Sequence, residues 1–412
     1  MSRELIQLSP RGNAIYQLLD LTVALLLLYG AGFCASALFQ LPSQPLTDFI
    51  SVEIIERCTE RAFQLTILSG LIGAGLMMAG ERLSVHSVLS LQRIWTALAI
   101  VSVALSPFDF KAALDLAAAL ALLLTLALSY RAAVSVSLRA WQIGLLLIVL
   151  SLVAAHLLEG RALYSARAFR LQVAFPIAGL GVMYWLMRRY SRVEAEWAAD
   201  GLRITALLVF LAGSMISLGR LGLATTVSIG ATPFIPLCYI ILAGHSYRAL
   251  SSRNENASLA SHWIAAATLF WLVGGGFLGT LSIQPAIGEA MRATALATVQ
   301  DWLAMWVLLA IVLAIVNEGA SSLRGDNRRV TGYVPLWLVA FGAGLASIVG
   351  ACRGVVQIYL REVAAAEATT MAALLLPLTA VWIICLSAAG AGIVIYALGF
   401  WLRRTRIMVA ER

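Results

Sequence analysis

Polar positions in this chain do not alternate with apolar ones on a short period. They gather between long apolar runs. A run of about 20 apolar residues crosses the roughly 30 Å hydrocarbon core of a bilayer as a helix. Twelve such runs fall near 15–39, 59–80, 88–106, 112–130, 140–158, 166–187, 200–221, 230–250, 261–282, 294–316, 333–358 and 370–402. All are read as helices, because only helices and closed barrels satisfy every backbone polar group inside lipid. The last two are long enough to tilt or to project beyond the bilayer. The longest intervals have roughly 20 residues, too few for a soluble domain of typical size. The pattern therefore predicts one integral membrane domain over 1–412, an all-α bundle of about twelve transmembrane helices.

The intervals carry smaller signals. The first, Leu41 to Cys58, holds two prolines and the acids Asp48, Glu53 and Glu56. It reads as a short amphipathic helix on the outer surface that caps the bundle. Gly70, Gly73 and Gly75 in the second span, and Gly274-Gly275-Gly276 with Gly279 in the ninth, mark close helix approaches. Pro176 and Pro377 predict kinks in the sixth and twelfth spans.

Composition sharpens this picture. The chain is 61% hydrophobic and 12% charged, against about 25% charged in soluble domains. Its mean hydropathy is +0.89. The net charge of +8 comes from arginines scattered through short loops. A nucleic-acid binder gathers its basic residues on one face, so nucleic acid is not expected as a partner. The arginines instead set orientation, because cytoplasmic loops carry the excess of Lys and Arg. The N-terminus, the even-numbered loops and the C-terminus together hold 19 of the 29, with anchors at Arg188-Arg189 and Arg403-Arg404. Both termini are expected on the cytoplasmic side, most simply of a bacterial inner membrane. No secretory signal is read at the N-terminus, because Met1 to Asn13 is polar and no small-residue cleavage site follows the first span.

The chemistry-bearing residues are few. Five cysteines, Cys34, Cys58, Cys238, Cys352 and Cys385, lie far apart and form no C-x-x-C pair. Four of them sit inside apolar spans and read as small apolar fillers. Of four histidines, His156 lies inside a span, near the outer end of the fifth. No Walker A, H-E-x-x-H or G-x-S-x-G motif is present. Ionisable groups in lipid are costly and are functional-site hypotheses by default. The polar candidates inside spans are Asp20, Asp115, Gln172, Arg220, Gln300, Asp301 and Arg353. Arg61, Arg220, Arg292 and Arg353 all fall at outer helix ends, where most arginines snorkel to the headgroups. The sharper expectation is an outer arginine cluster with Asp301 as counter-ion, seating an anion or a partner subunit. A lone His156 is read first as a hydrogen-bonded interface residue.

Several stretches resemble a known family. The second span opens Arg61-Ala62-Phe63-Gln64, similar to R-P-L-H. The sixth holds Leu180-Gly181-Val182-Met183-Tyr184-Trp185, similar to L-G-x-x-Y-Y. The seventh holds Leu208-Val209-Phe210-Leu211. The tenth reads Thr298-Val299-Gln300-Asp301-Trp302-Leu303-Ala304-Met305, similar to T-V-A-H-A-H-L-A-M. With twelve spans, this pattern resembles the heme-copper oxidase large subunit (subunit I), in its cbb-type oxidase and nitric oxide reductase branch. The resemblance implies a fold like that subunit, and it implies which positions would bear ligands. Gln64 stands where the family has a heme-ligating histidine. Gln300 and Trp302 stand at two more. The copper ligands would fall near Ala168 and near Leu218-Gly219. None of these residue types replaces imidazole as a heme or copper ligand.

The resulting expectation is a metal-free, non-catalytic relative with no cofactor at the family sites. It would act as a structural, assembly or regulatory subunit beside other membrane subunits, a cytochrome c-type subunit among them, or as a sensor of a small apolar ligand. Gln64, Gln300, Asp301 and Trp302 would occupy the vacated pocket, with Arg61, Arg220 and Arg353 on its outer rim. Trp302 would fill part of the space left by a heme. Two alternatives stay open. One is a transporter or channel using Asp301 and the outer arginines. The other is a respiratory oxidoreductase holding heme through unmatched ligands such as His156.

Overall fold

The computed structural model describes residues 9–38, 52–108, 110–132, 135–158, 166, 169–220, 232–253, 259–292, 294–324 and 332–409. Long helices account for nearly all of them. They are α1 (Pro10–Leu38), α2 (Val52–Ala79), α3 (Val85–Leu105), α4 (Lys111–Ser129), α5 (Val136–Leu157), α6 (Arg170–Tyr190), α7 (Ala195–Arg220), α8 (Phe234–Ser251), α9 (Ala260–Ile283), the short α10 (Pro285–Arg292), α11 (Ala295–Arg324), α12 (Tyr333–Glu362) and α13 (Ala368–Val409). Among the described residues, eleven helices are long and apolar enough to cross a membrane. The chain is an all-α polytopic membrane protein.

The predicted eighth span is the one outside those eleven. Its helix, α8, has 18 residues and carries His245 and Arg248 in its second half. It nevertheless runs the length of the bundle. Its C-terminal neighbour Arg253 bridges Ser191, which follows α6, and Arg192 N–H donates to Ser252 O at 3.0 Å. At the other end, Gln284 after α9 donates to Thr232 before α8 at 2.5 Å. So α7 leaves the end where α6 stops, and α8 returns to it. Eleven candidate spans among the described residues thus stand against the twelve expected, and α8 is the one that falls short of the apolar criterion.

Two expectations about the intervals change. Val52 to Cys58 is not a separate surface helix. It forms the first two turns of α2, so the acids Glu53 and Glu56 extend a spanning helix. The rest of that predicted surface helix, with Asp48, lies outside the described residues. The short α10 between the ninth and tenth spans carries no long apolar run and was not legible as an element.

Three helices form the centre. In α2, α6 and α11, 83%, 89% and 78% of the most apolar window is buried, against 28–56% in the other eight spans. α1 packs on both α2 and α13, α5 packs on α6, and α9 packs on α11. Small residues permit this closeness. A Cβ at Gly75 would sit 2.1 Å from the ring of Trp141, whose indole N–H donates to Leu71 O at 2.8 Å. A buried tryptophan needs such a partner for its polar end.

Two helices open into π turns where backbones meet. The first turn of α6, Arg170–Ala174, is π-helical and leads into Pro176. Proline lacks the N–H for an α-helical bond and clashes with the carbonyl four residues back. The wider turn accommodates Pro176, and Gly213 of α7 packs on the displaced Gln172 carbonyl, 2.3 Å from where a Cβ would stand. The second π segment, Leu272–Leu278 of α9, contains the three predicted glycines, with Gly275 against Tyr239 and Gly274 against Leu303. Such single π turns are frequent next to functional sites. Pro377 lies inside α13.

A cleft and a buried charge cluster between the central helices

The C-terminal part of α1 and the N-terminal parts of α2, α4, α6 and α11 lie together at one end of the bundle. A cleft of about 410 Å³ opens there, lined by Phe63 and Gln64 of α2, Arg170 and Phe175 of α6, and Asp301 and Trp302 of α11, with Glu60 and Met305 at its margins. Three predicted residues, Gln64, Asp301 and Trp302, are thus brought to one site. Asp301 is six residues into α11, roughly 9 Å along the helix at 1.5 Å per residue.

Gln300 is not with them. It is 1% exposed, and its amide donates to Ser282 Oγ of α9 at 3.4 Å. Residues 300 and 302 are about 200° apart around a helix. If Trp302 faces the cleft, Gln300 must face the other way. Sequence alone grouped them; the helix geometry separates them.

The floor beside the cleft is charged. Among the described residues, the charged side chains that are buried are Arg61, Asp115 and Arg170, at 8%, 4% and 9% exposure. All three line one small cavity with Gln64 and Phe175. Arg61 Nη1 donates to Asp115 Oδ1 at 2.6 Å and to Gln64 Oε1 at 3.2 Å, and Nη2 donates to Ser102 Oγ at 3.3 Å. Gln64 in turn donates to Glu60 at 3.2 Å, which also accepts from Lys111 at 3.3 Å. A carboxylate and a guanidinium in an apolar interior hold together because each supplies what desolvation removes.

This corrects the arginine reading. Arg61 does not snorkel to a rim; it is buried, and its counter-ion is Asp115 of α4. Arg353 does not line the cleft. Its guanidinium sits over the ring of Trp382, 5.4 Å from the centroid. Trp382 stacks on Trp302 at 5.1 Å and 28°, and Trp302 also meets Phe33 of α1 at 5.3 Å. Arg220 closes α7, and its side chain, with those of Gly219 and Arg292, lies outside the described residues. Leu218 is 43% exposed and faces out of the bundle, away from the cleft. Ala168 lies outside the described residues.

His156 ends α5 beside the cluster, with Nε2 4.0 Å from Asp115 Oδ2. Its neighbour is a carboxylate already shared with Arg61. No group of three or more His, Cys, Asp or Glu is placed to hold a metal among the described residues. The donor set of the cleft does not fit a heme iron, because Gln64 offers a carboxamide and Trp302 an indole N–H that can only donate.

Arg170, Glu60 and the Asp115 pairing were missed as parts of one site. A basic residue at the start of an apolar run was a visible signal for Arg170, the same signal that marked Arg61. No protein-family model and no curated protein sequence matches the chain.

Proposed function

We propose that this chain is a non-catalytic, metal-free relative of the heme-copper oxidase large subunit. In this reading it lies in a bacterial cytoplasmic membrane with both termini on the cytoplasmic side. It acts as a structural, assembly or regulatory subunit beside other membrane subunits, a cytochrome c-type subunit among them, and its cleft senses a small ligand.

The observation that carries the reading is the meeting of Gln64 and Trp302 across one cleft between the central helices α2 and α11. The resemblance puts a ligating histidine at both positions. Here both side chains are engaged otherwise. Gln64 is held by Arg61 and Glu60, and Trp302 is stacked on Trp382. A void left unfilled would cost stability in proportion to its volume, and the indole fills part of it. What remains is a cleft with aromatic and polar walls, of a size suited to a small ligand.

The test is purification in mild detergent, followed by a visible spectrum, a pyridine hemochrome assay, copper analysis and mass spectrometry of co-purifying subunits. The expected result is a colourless protein without copper that brings a second membrane subunit with it. Stoichiometric heme would overturn the reading and return attention to His156.

A second reading is favoured by the charges in the cleft, where Glu60, Arg170 and Asp301 line the opening. It is a transporter or channel with Asp301 at its polar site. It predicts proton or ion flux in proteoliposomes, followed with an internal pH dye, that Asp301→Asn abolishes. Flux unchanged by that substitution sinks it.

A further inference from the structure

A second pocket lies on the α1 side of Trp302, with a volume of about 210 Å³. Its walls are aromatic. Trp302 and Trp306 project from α11 at i and i+4, so they share one face. Tyr29 and Phe33 of α1 face them, with Phe33 edge-on to Trp306 at 5.6 Å and 85°. Its mouth is acidic. Glu56 and Glu60 of α2 also stand at i and i+4, and they are the charged residues that line the pocket among those described. Glu60 accepts from Gln64 and Lys111. Glu56 is exposed and has no hydrogen-bond or ion-pair partner among the described residues.

Two like charges at i and i+4 on one helix face repel each other. Indole and phenyl faces carry negative quadrupole charge. Both features favour the same occupant. Lys111 partly offsets Glu60, so Glu56 carries the open charge, and no basic residue lines the pocket among those described. The chain itself already uses this chemistry nearby, where the Arg353 guanidinium rests on Trp382.

We propose that this pocket binds an organic ammonium ion with an apolar body, its charge at Glu56 and its body between the aromatic rings. The inference extends the ligand-sensing part of the proposed function from the cleft to this second pocket and names the ligand class. The chemistry is shared by a free quaternary or protonated amine and by the choline headgroup of a lipid.

The test is equilibrium dialysis of radiolabelled phenyltrimethylammonium against the full chain in nanodiscs of phosphatidylglycerol, with empty nanodiscs as control. Its neutral isostere, tert-butylbenzene, is the competitor. Saturable binding near one per chain is expected. The isostere should compete at least about fivefold more weakly, in line with the strength of a cation–π contact. Glu56→Gln, an exposed position that leaves the core untouched, should weaken binding several-fold, and Trp306→Leu should remove it. Phosphatidylcholine added to the nanodiscs should displace the probe if a lipid headgroup is the natural occupant, and leave it bound if a free amine is; either result upholds the ammonium class. Equal competition by the isostere with no effect of Glu56→Gln would overturn the cation while leaving an apolar ligand pocket and the proposed function in place. No binding above empty nanodiscs would overturn the pocket's ligand altogether. The subunit reading would then stand or fall on the heme and co-purification assay.

Discussion

Arg61 and Asp115 come from different helices, 54 residues apart in sequence. Each was visible in the sequence as a charge where lipid or protein should surround it. Their pairing was not visible, because it depends on which face of α2 turns toward α4. The pair makes a specific stability prediction. Removing one partner of a buried ion pair leaves an uncompensated charge and typically costs about 3–5 kcal/mol. Asp115→Asn should therefore lower the thermal unfolding temperature in detergent sharply, while Arg61→Met/Asp115→Leu recovers most of the loss. If the double variant is as unstable as the single one, packing rather than charge holds this site. The same scale explains the error over Gln300. It is polar and next to Asp301, yet adjacent and next-nearest residues on a helix face different neighbours.

At the scale of elements, glycines and prolines were read as signs of close approach and kinking. Gly75 shows the first; at Pro176 the structure shows a widened π turn ahead of the proline. What the sequence lacked was the partner. Nothing in the second span indicates that Trp141 of α5 will press on Gly75. A methyl group there meets the indole ring at 2.1 Å, and overpacking a tight core typically costs about 1–3 kcal/mol. Gly75→Ala should destabilise the protein by that amount in thermal unfolding. Gly244→Ala is the matched comparison, because a Cβ at Gly244 meets nothing within 4 Å; it should be neutral or slightly stabilising. Equal shifts in the two variants would show that the contact with Trp141 yields freely. The amphipathic helix expected over Leu41 to Cys58 failed in its second half for a related reason. Continuous helix from Val52 satisfies more backbone than a break at Cys58 would.

At the scale of the whole molecule, the status of α8 decides the topology. Its His245 and Arg248 depress its hydropathy, but its two ends are tied to opposite ends of the bundle through Arg253 and Thr232. A helix of 18 residues spans about 27 Å at 1.5 Å per residue, close to the hydrocarbon thickness. Reporter fusions in the Ser191–Glu194 turn and at the C-terminus should therefore report the same side of the membrane, with six crossings between them. Opposite sides would mean that α8 does not cross.

Sequence by itself determined the class of this protein, all-α and polytopic, and the placement of eleven long apolar helices, because the bilayer imposes a fixed length and an apolar surface on every span. It also marked the residues whose polarity lipid would not tolerate. Only the tertiary structure decided which of them meet. Helix rotation and neighbour choice are set by side-chain packing between distant segments, and single-residue chemistry carries no record of them. That is why Gln64, Asp301 and Trp302 line one cleft while Gln300 turns away. It is also why the counter-ion of Arg61 proved to be Asp115.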